Sequence, residues 1–188
     1  PAASDALLFS ASWNIGADPG SRITMPEFAA FAEKNDANRD GQITPSEISD
    51  NSIRQRFPQM DLDKNGIATA QEWELFREMF DKAGNAVLAI RPGARGMTGP
   101  DHLAWKSNRS LPYVSSPLFY QGRVYTVKNG GLASCYDAES GQPLYQDERL
   151  GALGDYYSSA IAADGRIYVT SQQGICVVLR AGDTLDIL

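Results

Sequence analysis

The chain is poor in several features that would each point to a function. Its 188 residues include one histidine, His102, and two cysteines, Cys135 and Cys176. The histidine reads as a solvent-facing strand residue between Asp101 and Leu103, which leaves no basis for a Ser/His/Asp catalytic set. The cysteines lie 41 positions apart in strand-like apolar runs and read as buried reduced thiols. A disulfide between them stays open, because two cysteines do not fix a redox compartment. No apolar run approaches the roughly 18–20 residues of a membrane span, and no signal peptide is visible. Because the chain starts at Pro1 rather than Met, an upstream segment is expected to have been removed. Basic runs are missing too: 17 Lys and Arg face 23 Asp and Glu, a net charge of −6. That balance argues against a nucleic-acid or anionic-membrane surface. The Gly-rich stretch 93–99 lacks the Lys-Ser/Thr of a phosphate loop and reads as a plain connection.

What is present divides into zones. Hydrophobic content of 43% and charged content of 21% suit a soluble globular protein of one generous domain or two small ones. Residues 6–13 read as a short buried strand. Residues 22–83 carry helical spacing interrupted by two loops rich in Asp, Asn and Gly. From about 85 onward, β-branched and aromatic runs alternate with Gly, Asp and Asn turns, the pattern of an all-β segment.

The two loops carry the sharpest chemistry. Residues 36–47 and 61–72 both fit D-x-[DN]-x-[DN]-G-x5-E over all 12 positions. Calcium, a hard cation, takes six to eight oxygens at about 2.3–2.6 Å. Asp36, Asn38 and Asp40, and in the second loop Asp61, Asp63 and Asn65, supply side-chain oxygens. Gly41 and Gly66 permit the sharp turn. Gln42 and Ile67 offer carbonyls, Thr44 and Thr69 a hydroxyl or a bridging water, and Glu47 and Glu72 close each sphere as bidentate carboxylates. Two calcium ions are therefore expected. Thr24-Met25-Pro26-Glu27 has capping-box spacing ahead of a helix with Phe28 and Phe31 on one face. Thr69 and Glu72 open a second helix bearing Trp73, Phe76 and Phe80. At position 8 the loops hold Ile43 and Ala68, so the second is expected to be the looser. Only four methionines occur in the chain and Pro58 sits in the short connection 48–60, which favours a constitutively loaded, structural pair over a sensor.

The β zone repeats. Ser115-Ser116-Pro117-Leu118, Gly122-Arg123-Val124-Tyr125 and Gly131 recur at a constant offset of 43 residues as Ser158-Ser159-Ala160-Ile161, Gly165-Arg166-Ile167-Tyr168 and Gly174. A 40–50-residue period holding four strands is the signature of a propeller blade. In the first copy the strands are expected at 116–120, 123–128, 132–137 and 143–147, with a turn at Asp137-Ala138-Glu139-Ser140-Gly141. Leu7-Leu8-Phe9-Ser10, Val87-Leu88-Ala89-Ile90 and His102-Leu103-Ala104-Trp105-Lys106 read as strands two, three and four of another blade. The helical zone would then be an insertion between its second and third strands. Asp155-Tyr156-Tyr157 reads as packing at a loop.

Residues 22–83 resemble the EF-hand family in its paired arrangement. Residues 84–188, and 6–13 with them, resemble the repeats of quinoprotein (PQQ-type) β-propellers, through Ser115-Ser116-Pro117, Gly122-Arg123-Val124-Tyr125, Tyr136-Asp137-Ala138-Glu139-Ser140-Gly141 and Trp105. The resemblance implies that Trp105 docks between neighbouring blades; the next copy has Tyr145 there, a departure. That family includes quinone-dependent dehydrogenases and cofactor-free scaffolds of bacterial envelope assembly, so fold does not decide function. The dehydrogenases use an adjacent Cys-Cys pair, absent here, and no C-x-x-C-H haem motif occurs. The expectation is an α+β chain: a propeller strand at 1–13, an all-helical EF-hand pair at 14–84, and propeller blades at 85–188, two to three in all. It is expected to bind rather than catalyse, in the periplasm or outside the cell, with an unidentified protein or ligand as partner and self-association of the incomplete propeller. A fragment of a secreted quinone-dependent oxidoreductase is the alternative.

Overall fold

A computed structural model describes residues 1–13, 25–82, 84–96 and 99–188. The chain divides into two compact units, one made of Pro1–Trp13 with Gly84–Leu188 and one of Asn14–Ala83.

The first unit is built from three antiparallel sheets. Strands β1 (Ala2–Ala3), β2 (Leu8–Ser12), β3 (Ala86–Ile90) and β4 (Leu103–Ser107) form the first, paired in that order. The second holds β5 (Leu118–Tyr120), β6 (Arg123–Lys128), β7 (Leu132–Asp137) and β8 (Pro143–Arg149), again in sequence order. The third holds β9 (Ile161–Ala163), β10 (Arg166–Thr170) and β11 (Cys176–Arg180), with one further bridge from Leu179 to Ile187 where a fourth strand was expected. His102 belongs to a 3-10 turn, Pro100–His102, and not to the strand predicted there. The short pair β1 was not expected at all.

The strands of the second sheet are covered on both faces. Val124 packs toward the first sheet with Phe9, Val87, Ala89, Trp105 and Tyr136. Its neighbour Tyr125 packs toward the third, with Cys135, Tyr145, Ile167 and Leu179. Strands buried on both sides lose the hydrophobic–polar alternation and read as continuous apolar runs. The β5–β6 and β9–β10 hairpins turn at Gln121-Gly122 and Asp164-Gly165, where all four residues have positive φ. That is the type I′ geometry suited to the strand twist.

Trp105 joins the first two sheets. It is nearly buried, its Nε1 donates to Ala138 O at 2.9 Å, and its ring lies against Gly141, where an added Cβ would come within 2.5 Å of Cδ2. Tyr145 is buried in the second inter-sheet cluster. Of the cysteines, Cys135 is buried and free, but Cys176 is free and exposed, which corrects the reading of two buried thiols. Tyr156 is fully buried and donates to Ala152 O at 2.8 Å.

The second unit contains α1 (Phe28–Asn35), α2 (Asn51–Gln55), α3 (Phe57–Met60) and α4 (Ala70–Asp81). Phe31, Ile43, Ile48, Phe57, Met60, Ala68, Trp73, Phe76 and Phe80 form its core. Trp73 stacks on Phe31 with ring centroids 3.8 Å apart, and its Nε1 donates to Pro26 O at 3.0 Å. The capping box expected from Thr24 to Glu27 is not what starts α1. Thr24 lies outside the described residues, and Glu27 occupies the N-cap position with no side-chain cap bond. The first helical N–H, that of Phe28, instead donates at 3.2 Å to Glu74 Oε1 on α4. The helix dipole favours an acceptor at this end whichever element supplies it.

Candidate metal centre

The two loops of the helical unit are joined back to back. Ile43 N donates to Ala68 O at 3.0 Å and Ala68 N to Ile43 O at 2.8 Å, and both side chains are buried. Each loop wraps its own backbone around its first carboxylate in the same way. Asp36 accepts from the amides of Asp40 (3.2 Å) and Gly41 (2.9 Å). Asp61 accepts from those of Asn65 (3.0 Å) and Gly66 (2.8 Å). Asn38 and Asp63 each accept from the residue two positions on, at 3.0 and 3.1 Å. Asp40 and Asn65 do the same for the amides of Gln42 and Ile67, both at 2.8 Å. This wrap needs left-handed backbone at the fourth and sixth loop positions. Arg39 and Lys64 have φ near 60° and 61°, and Gly41 and Gly66 near 78° and 88°.

The closing glutamates differ. Glu72 is buried and takes three donors: Thr69 N at 2.9 Å and Thr69 Oγ1 at 2.8 Å on one oxygen, and Leu62 N at 3.0 Å on the other. Thr69 Oγ1 accepts from Glu72 N in return, a complete capping box that starts α4. Glu47 is half-buried and accepts from Thr44 N and Thr44 Oγ1, both at 2.8 Å and both on Oε2. It opens no comparable helix, since α2 begins only at Asn51. The backbone N–H of Thr44 holds Glu47, and that of Thr69 holds Glu72, below the usual carboxylate range. In both loops the threonine hydroxyl is engaged by the closing glutamate.

Among the described residues, one group of three acidic side chains offers ligand oxygens all within 4.8 Å of one another: Asp61, Asp63 and Glu72. Asp61 and Glu72 are each only 8% exposed, and none of the three is ion-paired to Lys or Arg among the described residues. Asp36, Asp40 and Glu47 are not drawn together to that degree. The donor set is all oxygen, and it suits a hard cation. The loop motif gives no hint of Asn35. Its Nδ2 donates to Phe31 O at 3.0 Å while its Oδ1 accepts from Ser49 N at 3.2 Å, tying the end of α1 to the segment after the first loop.

No protein-family model and no curated protein matches the chain. Among solved structures, it is similar to a europium-containing methanol dehydrogenase, at 12% identity and a TM-score of 0.41. The likeness covers 55% of this chain and 20% of that one. No described helix is long and apolar enough to cross a membrane.

Proposed function

We propose that this chain is a calcium-binding module, with two EF-hand loops holding two ions on a β-propeller-like scaffold. The observation that carries the reading is the convergence of Asp61, Asp63 and Glu72 within 4.8 Å, with no basic partner to offset them among the described residues. Three carboxylates so close repel one another, and a divalent cation ligated by oxygen relieves that repulsion. The first loop repeats the same backbone wrap and would hold its ion through Asp36, Asn38, Asp40, Glu47 and the Gln42 carbonyl. The role proposed is structural, the protein binds rather than catalyses, and its setting is outside the cytoplasm. The repeated four-strand pattern and the inter-sheet seat of Trp105 support reading the sheets as successive blades.

The order of the two sites follows from burial. Ala68 is buried and its bridge to Ile43 is complete, which supports a second loop held firmly, in place of the looser one the sequence suggested. The second loop has the two buried carboxylates and the better-held glutamate, and it is the tighter site. Calorimetric titration of metal-free protein with calcium should show two sites with dissociation constants near 10⁻⁷–10⁻⁵ M, weaker if the protein works extracellularly. Glu72→Gln should remove the tighter one. A titration showing one site or none refutes the proposal.

A further inference from the structure

Three aromatic rings from separate connections meet on the β unit. Trp13 follows β2, Tyr113 lies between β4 and β5, and Tyr157 lies between β8 and β9. Trp13 and Tyr113 meet edge to face, with ring centroids 4.2 Å apart and planes at 84°. The Tyr113 and Tyr157 centroids lie 6.1 Å apart, with planes at 50°. Tyr113 is 42% exposed and Tyr157 40%, so the rings belong to neither inter-sheet core. Beside them, the half-buried Asp155 carboxylate accepts from the Tyr157 hydroxyl at 3.4 Å, and its charge raises the Tyr157 phenol above its ordinary value. Asp155 has no Lys or Arg ion-pair partner among the described residues.

The rings sit on fixed backbone. In the connection carrying Tyr157, Gly130 N donates to Gly154 O at 2.8 Å, Gln172 N to Asp155 O at 2.8 Å, and Tyr156 N to Asn129 Oδ1 at 3.0 Å. Ser116 N donates to Ser159 Oγ at 3.0 Å, which ties the connection carrying Tyr113 to the one carrying Tyr157. Ser115 is buried and its Oγ donates to Val127 O at 3.2 Å. Exposed aromatic rings on a backbone held at this many points form a surface organised in advance of any ligand, which lowers the cost of binding.

We infer that Trp13, Tyr113, Tyr157 and Asp155 form a binding site for a small quaternary ammonium group. The face of an aromatic ring is the negative side of its quadrupole, and a cation within about 6 Å of the centroid is attracted to it. The ring inclinations decide between ligand shapes. A flat sugar or base can lie on only one of rings set at 84° and 50° to one another, whereas a compact, round cation can touch more than one. Full methylation suits the site further. A bare ammonium is strongly hydrated and brings three donors, and a single carboxylate leaves most of them unpaired. Asp155 supplies the opposite charge, and the chain's net charge of −6 favours the approach of a cation. The site uses no residue of the metal loops, so it stands or falls apart from the calcium reading.

The test is a fluorescence titration of the full chain with choline chloride at constant ionic strength. Trp73 and Trp105 are buried and Trp13 is half-buried, so a ligand at this site alters the Trp13 emission first. A saturable change is expected, with a dissociation constant of about 1 mM, the strength of a few cation–π contacts. The uncharged analogue of choline, with carbon in place of nitrogen, should bind at least about tenfold more weakly. Tyr113→Leu, Tyr157→Leu and Asp155→Asn should each weaken choline binding about threefold or more, with far-UV circular dichroism unchanged. Asp155→Asn keeps the backbone carbonyl that Gln172 uses, and it serves alone should a tyrosine variant unfold. Equal binding of choline and its neutral analogue would mark a merely apolar patch and overturn the inference. So would a response that does not saturate, an Asp155→Asn chain that binds like the wild type, or saturable binding of glucose without choline.

Discussion

Glu47 and Glu72 occupy the same place in the same motif, yet the structure gives them unequal hydrogen bonds of their own. Consider Glu72→Gln in metal-free protein. The carboxylate accepts from Thr69 N, Thr69 Oγ1 and Leu62 N. An amide keeps one oxygen, and its NH2 must then face either the Leu62 amide or the Thr69 donors. One buried donor loses its partner and the other bonds lose their charge assistance, a cost of about 1–3 kcal/mol. In Glu47→Gln the amide oxygen can stay on Thr44, whose two donors converge on a single carboxylate oxygen. No α4-like helix depends on it, and the loss should be much smaller. Urea unfolding in chelator, followed by fluorescence, would separate them, because Trp73 is fully buried against Phe31 in this unit. Trp73→Phe in both backgrounds would isolate its signal. Equal destabilisation by the two substitutions, without metal, would refute the claim that Glu72 has a structural duty Glu47 lacks.

Other expectations follow from the same geometry. Burial pushes the Cys135 thiol up to about 12, whereas Cys176 is exposed. A disulfide-exchange reagent at mildly alkaline pH should therefore titrate one thiol in the native protein and both after unfolding. Gly141→Ala places a Cβ against Trp105 at a residue with φ of 72°, and should cost at least about 2 kcal/mol in a denaturant titration of the β unit. Glu72 titrates below the usual carboxylate range when folded, so its contribution is complete above that range. It should be lost as pH falls through the folded value, seen as an acid-side drop in the melting temperature of metal-free protein that Glu72→Gln flattens.

Much of the β unit was legible because burial on both faces leaves unbroken apolar runs, and because Gln121-Gly122 and Asp164-Gly165 punctuate them at a fixed offset. Ala2–Ala3 was not, since two alanines carry no pattern. The two acidic loops stood out in the sequence because oxygen ligation dictates side-chain type at fixed spacing, and the structure draws Asp61, Asp63 and Glu72 of the second together. The burial of Asp61, Glu72 and Ala68 was not legible, because burial is a tertiary property. The α1 cap was misassigned because Glu74 supplies it from 46 positions away. Cys176 was read as buried because it lies in a strand-like apolar run; it is exposed because the third sheet has no successor on that face among the described residues.

The pairing of β2 with β3 carries a consequence for folding. Ser12 pairs with Ala86 in the ladder, and its Oγ donates to Gly84 O at 2.9 Å across 72 positions of chain. To the first sheet, the whole helical unit is a hairpin connection. Closing a connection of that length as a disordered tether, rather than as a two-residue turn, disfavours the sheet by about 3 kcal/mol, since each doubling of length adds about 0.6. Once the insertion is folded, fewer residues of that connection are free, and the entropic handicap shrinks. An ion bound in the loops would thus steady the strands through the chain entropy of their connection.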